Sequence, residues 1–154
     1  MSYCEDKLQK LGIELPEVPR PVAAYIPAKR VNNLVFCSGQ GPVKNGKLIY
    51  VGKVGSERTI EEGYQAARMC VLNCLAAVKS LVGSLDKVEE VVQVRGFVNS
   101  ATDFERQPEV INGASELLET IFDEKGKHAR CALGTSNLPK NITVELEMIV
   151  KVKE

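Results

Sequence analysis

Ile142-Thr143-Val144-Glu145-Leu146-Glu147-Met148-Ile149-Val150-Lys151-Val152 is the most regularly patterned stretch of the chain. Ile142, Val144, Leu146, Met148, Val150 and Val152 fall on one side of an extended backbone, and Thr143, Glu145, Glu147 and Lys151 fall on the other. A period of two with one apolar side describes a strand resting on a core. Such a strand needs a cover, and the sequence supplies one upstream. Thr59 with Glu62 three residues later forms a capping box. Ile60, Tyr64, Ala67, Val71, Leu75, Val78 and Val82 then recur every three or four residues until Gly83. Met69, Leu72 and Ala76 widen that stripe, so the spacing predicts a helix deeply packed against a sheet. A second helix is expected over 105–124, burying Val110, Ala114, Leu117, Leu118 and Ile121, with Pro108 near its start where an N–H has no partner to lose.

Between the helices, Val88 to Val98 reads as a strand with Val92, Val94 and Val98 on one face and Gln93, Arg95 and Asn99 on the other. Val22 to Ile26 and Leu34 to Ser38 are short β-prone runs around the polar turn Lys29 to Asn33. Asn45-Gly46 is a hairpin signal, with Leu48 to Val51 returning as a third strand. Residues 3–12 make a short helix, ended by Gly12 and a loop carrying Pro16 and Pro19. The order is β-β-β-α-β-α-β-β behind an N-terminal extension of residues 1–20. That is the α+β class, one domain over 1–154, with both helices on one face of a mixed sheet. The opposite face mixes polar and apolar groups, which points to burial against further copies of the chain.

Charge and cysteine usage exclude several functions. The 20 basic and 20 acidic residues cancel, leaving no global field to draw nucleic acid or an anionic membrane surface. No stretch approaches the roughly 18 apolar residues of a membrane span, and Met1 to Lys7 lack a basic segment leading into an apolar one. The five cysteines, at 4, 37, 70, 74 and 131, have neither zinc-site nor disulfide-framework spacing. A reduced, cytoplasmic setting is expected. Cys70 and Cys74 are four apart on the helix among apolar residues and read as core thiols rather than a metal pair. Gly39-Gln40-Gly41 is no dinucleotide loop, because Lys44 stands where the third glycine belongs. His128, the single histidine, reads as structural.

Arg130 and Glu145 carry more information. Arg130 opens the small-residue run Cys131-Ala132-Leu133-Gly134, and Glu145 interrupts the most apolar strand on its polar side. If the two segments form a hairpin around Leu138 to Asn141, both side chains can face one pocket. There an arginine fork binds a carboxylate and a glutamate orients or deprotonates a water. The other reading is a cross-strand ion pair.

Asn33-Leu34-Val35-Phe36-Cys37-Ser38-Gly39-Gln40-Gly41-Pro42-Val43 resembles the N-terminal signature of the Rid/YjgF family of reactive-intermediate deaminases, also known as the endoribonuclease L-PSP family. Ala129-Arg130-Cys131-Ala132, Leu138-Pro139 and Val144-Glu145-Leu146-Glu147 resemble its C-terminal signature. The resemblance runs from about Tyr25 to Val150. It implies a chorismate-mutase-like fold, a homotrimer with clefts between neighbouring subunits, and hydrolysis of 2-imino or 2-enamino acids to 2-oxo acids and ammonia. The corresponding activity class is a 2-iminobutanoate/2-iminopropanoate deaminase, needing no metal or organic cofactor. By position, Arg130 clamps the substrate carboxylate and Glu145 positions the attacking water. Backbone groups around Ser38, Gly39 and Cys131 frame the imine end, Tyr25 matches the family's cleft tyrosine, and Asn112 lies near its cleft asparagine. The sequence departs from well-studied imine deaminases in lacking Ser-Gln after Tyr25 and in carrying Cys131 one residue early, with Ala132 where their cysteine stands. Those features mark a divergent subgroup. Two other functions remain open at this point: a non-catalytic binder of small carboxylates, and a translation-inhibiting endoribonuclease, which the neutral charge and scarce aromatics support least.

Overall fold

The computed structural model describes residues 3–18, 20 and 23–154. The elements are α1 (Tyr3–Lys10), β1 (Ala28–Val31), β2 (Leu34–Cys37), β3 (Val43–Lys44), β4 (Lys47–Leu48), α2 (Ile60–Val82), β5 (Val88–Asn99), α3 (Gln107–Phe122), β6 (Ala129–Thr135) and β7 (Val144–Val152). Five strands form one sheet in the order β1-β2-β7-β5-β6, and β3 with β4 forms a separate hairpin. Neighbours in the large sheet are antiparallel except β5 and β6, which α3 joins as a crossover.

The elements form where local chemistry starts and stops them. At the head of α2 the Thr59 hydroxyl accepts from the Glu62 N–H, and the Glu62 carboxylate accepts from the Thr59 N–H, both at 3.1 Å. Its far end stops at Gly83, whose φ of 90° suits a residue without a side chain and whose N–H donates to the Lys79 carbonyl. Both long helices lie on the same side of the sheet. Val71, Leu75 and Val78 of α2, Val110, Leu117 and Ile121 of α3, and Val144, Leu146, Met148 and Val150 of β7 are buried in one core. Each such side chain contributes on the order of 1.5–3 kcal/mol. The two helices approach backbone to backbone at Gly113, where a Cβ would fall 2.0 Å from the Tyr64 carbonyl oxygen. The thiols of Cys70 and Cys74 donate to the carbonyls of Val144 and Leu146, as core thiols should. At the N-terminus, the Tyr3 and Cys4 N–H groups donate to the Asp86 carboxylate, and Lys7 pairs with Asp123 at 2.9 Å, docking α1 beside α3.

Four sequence expectations need correction. Val22 lies outside the described residues, and Ala23–Ile26 are not a strand; the first strand is β1, and the turn shrinks to Asn32-Asn33, with Asn32 at φ 53°. Polar Lys29 and Arg30 read as a turn because β1 is a sheet edge, where charged side chains reach water. Asn45-Gly46 does close a hairpin, but it is short: of the expected third strand, Leu48 ends β4 opposite Val43, and Val51 makes an isolated bridge to Ile142. In β5, register shifts between Val88 and Glu90 and between Val91 and Gln93 change the alternation. Val91 is buried and Val92 is exposed as a result. Finally, α2 is long and apolar enough to cross a membrane by length and composition, contrary to the reading that no stretch comes close. Most of it is buried between sheet and α3 as a core helix.

Among the described residues, no helix covers the other sheet face. Leu34, Phe36 and Leu133 are exposed there, around an Arg95–Glu147 ion pair of 3.1 Å and a shallow depression of about 280 Å³ that Phe36, Gln93 and Ile149 help to line.

Candidate functional site

The register of the sheet decides where Arg130 and Glu145 stand. They are not on a hairpin: β5 lies between β6 and β7. Arg130 sits opposite Val94 and Glu145 opposite Phe97. Two strand spacings across and three residues along give a Cα separation of about 14 Å. Val94 is buried beneath the helices, and Arg130 follows it to that side, where it meets α3. Phe97 and Glu145 point to the open face. The shared pocket expected within one chain and the cross-strand ion pair are therefore both excluded. The chain reverses over the end of β5 instead, held by buried Asn99, whose Nδ2 donates to Asn141 Oδ1 at 2.9 Å and to the Ile142 carbonyl at 3.0 Å.

Two separate groups result. In the first, the Arg130 Nη1 donates to Asn112 Oδ1 at 2.8 Å and to Ser115 Oγ at 3.2 Å. Asn112 and Ser115 are one helical step apart on α3 and reach the same nitrogen. The guanidinium is exposed, and its Nε and Nη2 have no hydrogen-bond partner among the described residues. That free edge has the planar fork geometry that can take a carboxylate in bidentate fashion. His128 belongs to this group: its Nδ1 lies 2.7 Å from the Gly126 carbonyl and its Nε2 2.9 Å from Ser115 Oγ.

The second group gathers at the ends of β2 and β7. Backbone bonds between Gln40 and Leu146 bring Gly39 beside Glu145, so closely that a Cβ on Gly39 would sit 3.1 Å from the carboxyl carbon. Glu145 has neither a cation nor a hydrogen-bond donor as partner among the described residues. Burial, and then the negative charge of Glu147, push its carboxyl above the usual range. Ser38 donates its hydroxyl to the Ile26 carbonyl at 2.6 Å and its N–H to Pro27, which ties the segment carrying Tyr25 to this group. The Tyr25 side chain is half exposed.

Cys131 stands between the two groups. It shares β6 with Arg130 but lies opposite Arg95, so its side chain turns to the open face. Of the residues expected at the site, the structure thus brings Arg130 and Asn112 together, and separately Ser38, Gly39 and Glu145 with the Tyr25 segment. Ser115 was missed by sequence reasoning. Its only signal is the spacing of three from Asn112 on one helix face. Asn73 was missed too; it is buried on α2 and donates to the carbonyls of Gly41 and Val43, fixing the loop that follows Gly39. Among the described residues, no three His, Cys, Asp or Glu side chains cluster as a metal site.

Relatives resemble this chain over nearly its whole length. A protein from Trypanosoma cruzi, TCP17, is 38% identical over 94% of this chain and 91% of its own length. A 2-iminobutanoate/2-iminopropanoate deaminase from Dermatophagoides farinae is 29% identical over 92% of this chain and 95% of its own. The crystal structure of protein Atu1372 from Agrobacterium tumefaciens superposes with a TM-score of 0.89 at 41% identity, covering 98% of this chain and 93% of that one. The family model described as "YjgF/chorismate mutase-like, putative endoribonuclease" matches residues 5–151. With that match spanning both signatures, both long helices and every strand of the main sheet, the chain belongs to the YjgF/Rid family.

Proposed function

We propose that this chain is a cytosolic hydrolase that converts 2-imino and 2-enamino acids to 2-oxo acids and ammonia, in clefts between the protomers of a homotrimer. The observation that carries the proposal is the pair of half-sites on opposite faces of the sheet. Among the described residues, Arg130 offers a free fork with no acid to bind, and Glu145 is a half-buried carboxylate with no cation to satisfy it. Neither half suffices for a small substrate, and rotational symmetry sets one protomer's first half against the next protomer's second. The open face, with Leu34, Phe36 and Leu133 exposed around the Arg95–Glu147 pair, supplies surface for such an assembly.

The chemistry asks little of the protein. Arg130 takes the substrate carboxylate through Nε and Nη2 while Asn112 holds Nη1. Backbone groups around Ser38, Gly39 and Cys131 frame the imine, and Tyr25 closes the cleft. A 2-enamino acid first becomes the imine by gaining a proton at C3 and losing one from nitrogen. Glu145, made more basic by burial, then accepts a proton from water as the water oxygen bonds to C2. Protonation of nitrogen and collapse of the carbinolamine then break the C–N bond, releasing ammonia and leaving the 2-oxo acid. Water and proton transfers balance the reaction without any further reagent. The deaminase name carried by the mite relative supports the same substrate class.

The test is a threonine dehydratase reaction, which generates 2-iminobutanoate, with ammonia and 2-oxobutanoate followed over time. Added protein should accelerate both, and Arg130→Ala should lose most of the acceleration. An unchanged rate in that variant overturns the mechanism. Thermal stabilisation by 2-oxobutanoate without any turnover would leave carboxylate binding as the function.

A further inference from the structure

The Arg130 anchor continues into a chain of side chains that the hydrolytic reading does not use. A carbonyl oxygen can only accept, so the contact with Gly126 puts the proton of neutral His128 on Nδ1. Nε2 is then an acceptor, and Ser115 must donate its hydroxyl proton to it. With that proton committed, the Ser115 oxygen presents a lone pair to Arg130 Nη1. Gly126 thereby sets the imidazole, the imidazole sets the hydroxyl, and the hydroxyl helps to set which edge of the guanidinium faces outward.

We propose that Ser115 and His128 are positioning residues for the carboxylate anchor, and that they couple anion binding at Arg130 to protonation of His128. This rests on the reading of Arg130 as that anchor. When His128 takes up a proton, Nε2 becomes a donor and places a second positive charge one hydroxyl away from the guanidinium. A carboxylate on Arg130 offsets the repulsion between the two cations, so binding favours the imidazolium, and by linkage the imidazolium favours binding.

The surroundings leave this coupling undisturbed. Burial holds the His128 imidazole below its ordinary value, the Gly126 carbonyl opposes it, and Arg130 on β6 is the charge that adds to the lowering. On α3, Glu116 accepts the Tyr64 hydroxyl and Glu119 pairs with Lys127. Lys127 also pairs with Glu124 in the turn after α3, and the β5 residue level with Ala129 is the neutral Gln93.

Because the chain has one histidine, nitrogen-15 NMR of the intact protein reads this imidazole without ambiguity. The free protein should show the Nδ1–H tautomer. Saturating 2-oxobutanoate, a product that does not react further, should raise the His128 pKa by about half a pH unit, equivalent to roughly threefold tighter binding below that pKa than above it. Ser115→Ala should raise KM by about three- to tenfold with kcat nearly kept, as expected for loss of one hydrogen bond to the anchor. His128→Leu should weaken binding across the pH range. His128→Gln, which restores an acceptor that cannot titrate, should recover most of that loss with a flat pH profile.

An Nε2–H tautomer, or 2-oxobutanoate binding that leaves the His128 pKa unmoved, overturns the coupling while the anchor stands. Failure of the wild-type protein to bind 2-oxobutanoate at all overturns anchor and coupling together. Linked binding without turnover supports the coupling and removes only the hydrolytic step.

Discussion

If Arg130 and Glu145 act together only across a protomer boundary, two inactive variants should repair each other when mixed. The perturbation is a pair of single substitutions, Arg130→Ala and Glu145→Ala, purified separately and then combined by unfolding and refolding together. Within one protomer the two residues are about 14 Å apart at their Cα atoms, from strand spacing and register, and they leave the sheet from opposite faces. No single chain can bring both to a substrate whose reacting carbon adjoins its carboxylate. In a ring, a working cleft needs an intact Arg130 from one protomer and an intact Glu145 from the next. At equal mixing each requirement is met half the time, so about one quarter of the clefts are restored, whatever the size of the ring. The recovered fraction should peak at a one-to-one ratio and fall off symmetrically on either side. Ammonia release in the coupled dehydratase reaction is the assay, with native mass spectrometry to verify that mixed oligomers have formed. Mixed oligomers that remain as inactive as their parents would refute the split site.

Further predictions concern stability as well as turnover. Glu145→Gln should lower kcat by about 10²-fold or more, since a positioned base contributes that much. It should also raise Tm at pH 7.5 by roughly a degree or two. The sign follows from the upward pKa shift: the folded protein binds the Glu145 proton more tightly than the unfolded chain, so ionisation at neutral pH opposes folding. That penalty lifts as pH falls through the raised value, and the Tm difference should vanish in parallel. Gly113→Ala forces a Cβ to within 2.0 Å of the Tyr64 carbonyl oxygen, and separating α2 from α3 should cost about 3 kcal/mol or more, a loss of roughly 6–12 °C by calorimetry. Thr59→Ala removes one partner of the α2 capping box and should cost about 1 kcal/mol in urea titration, with no change in kcat.

Patterns contained within one element were legible in the sequence. The alternation of Val144 to Val152, the Thr59–Glu62 box and the buried stripe of α3 each depend on neighbours a few residues away, and each has the expected form. What was hidden depends on what an element lies beside. Lys29 and Arg30 can sit in a strand because β1 is an edge, and nothing local reveals that. The shifts in β5 exchange Val91 for Val92 without any glycine or proline to mark them. The site suffered most from this limit. Arg130 and Glu145 stand on consecutive strands, and consecutive strands usually pair, but β5 is parallel to β6 and occupies the place a hairpin partner would take. The chemistry of each residue could be read from its type, whereas their separation needed the strand order. Ser115 was hidden for the same reason: a serine inside a helix says nothing about what the neighbouring strand will present to it.

The thiols placed by this fold give the protein a built-in clock for its own opening. Cys4, Cys37, Cys70 and Cys74 are buried, whereas Cys131 is partly accessible on the uncovered sheet face. Burial and Asp86 push Cys4 up to about 12, and burial pushes Cys70 up as well, so the reactive thiolate is scarce even where a reagent could reach. Hydrogen bonding with Cys37, together with burial, raises Cys74 in the same way. An alkylating reagent should therefore count one fast cysteine in the native protein and four more only as fast as the core separates. Cys4 fastens α1 and the other three lie between α2 and the sheet, so the order in which they are modified records which layer lifts first.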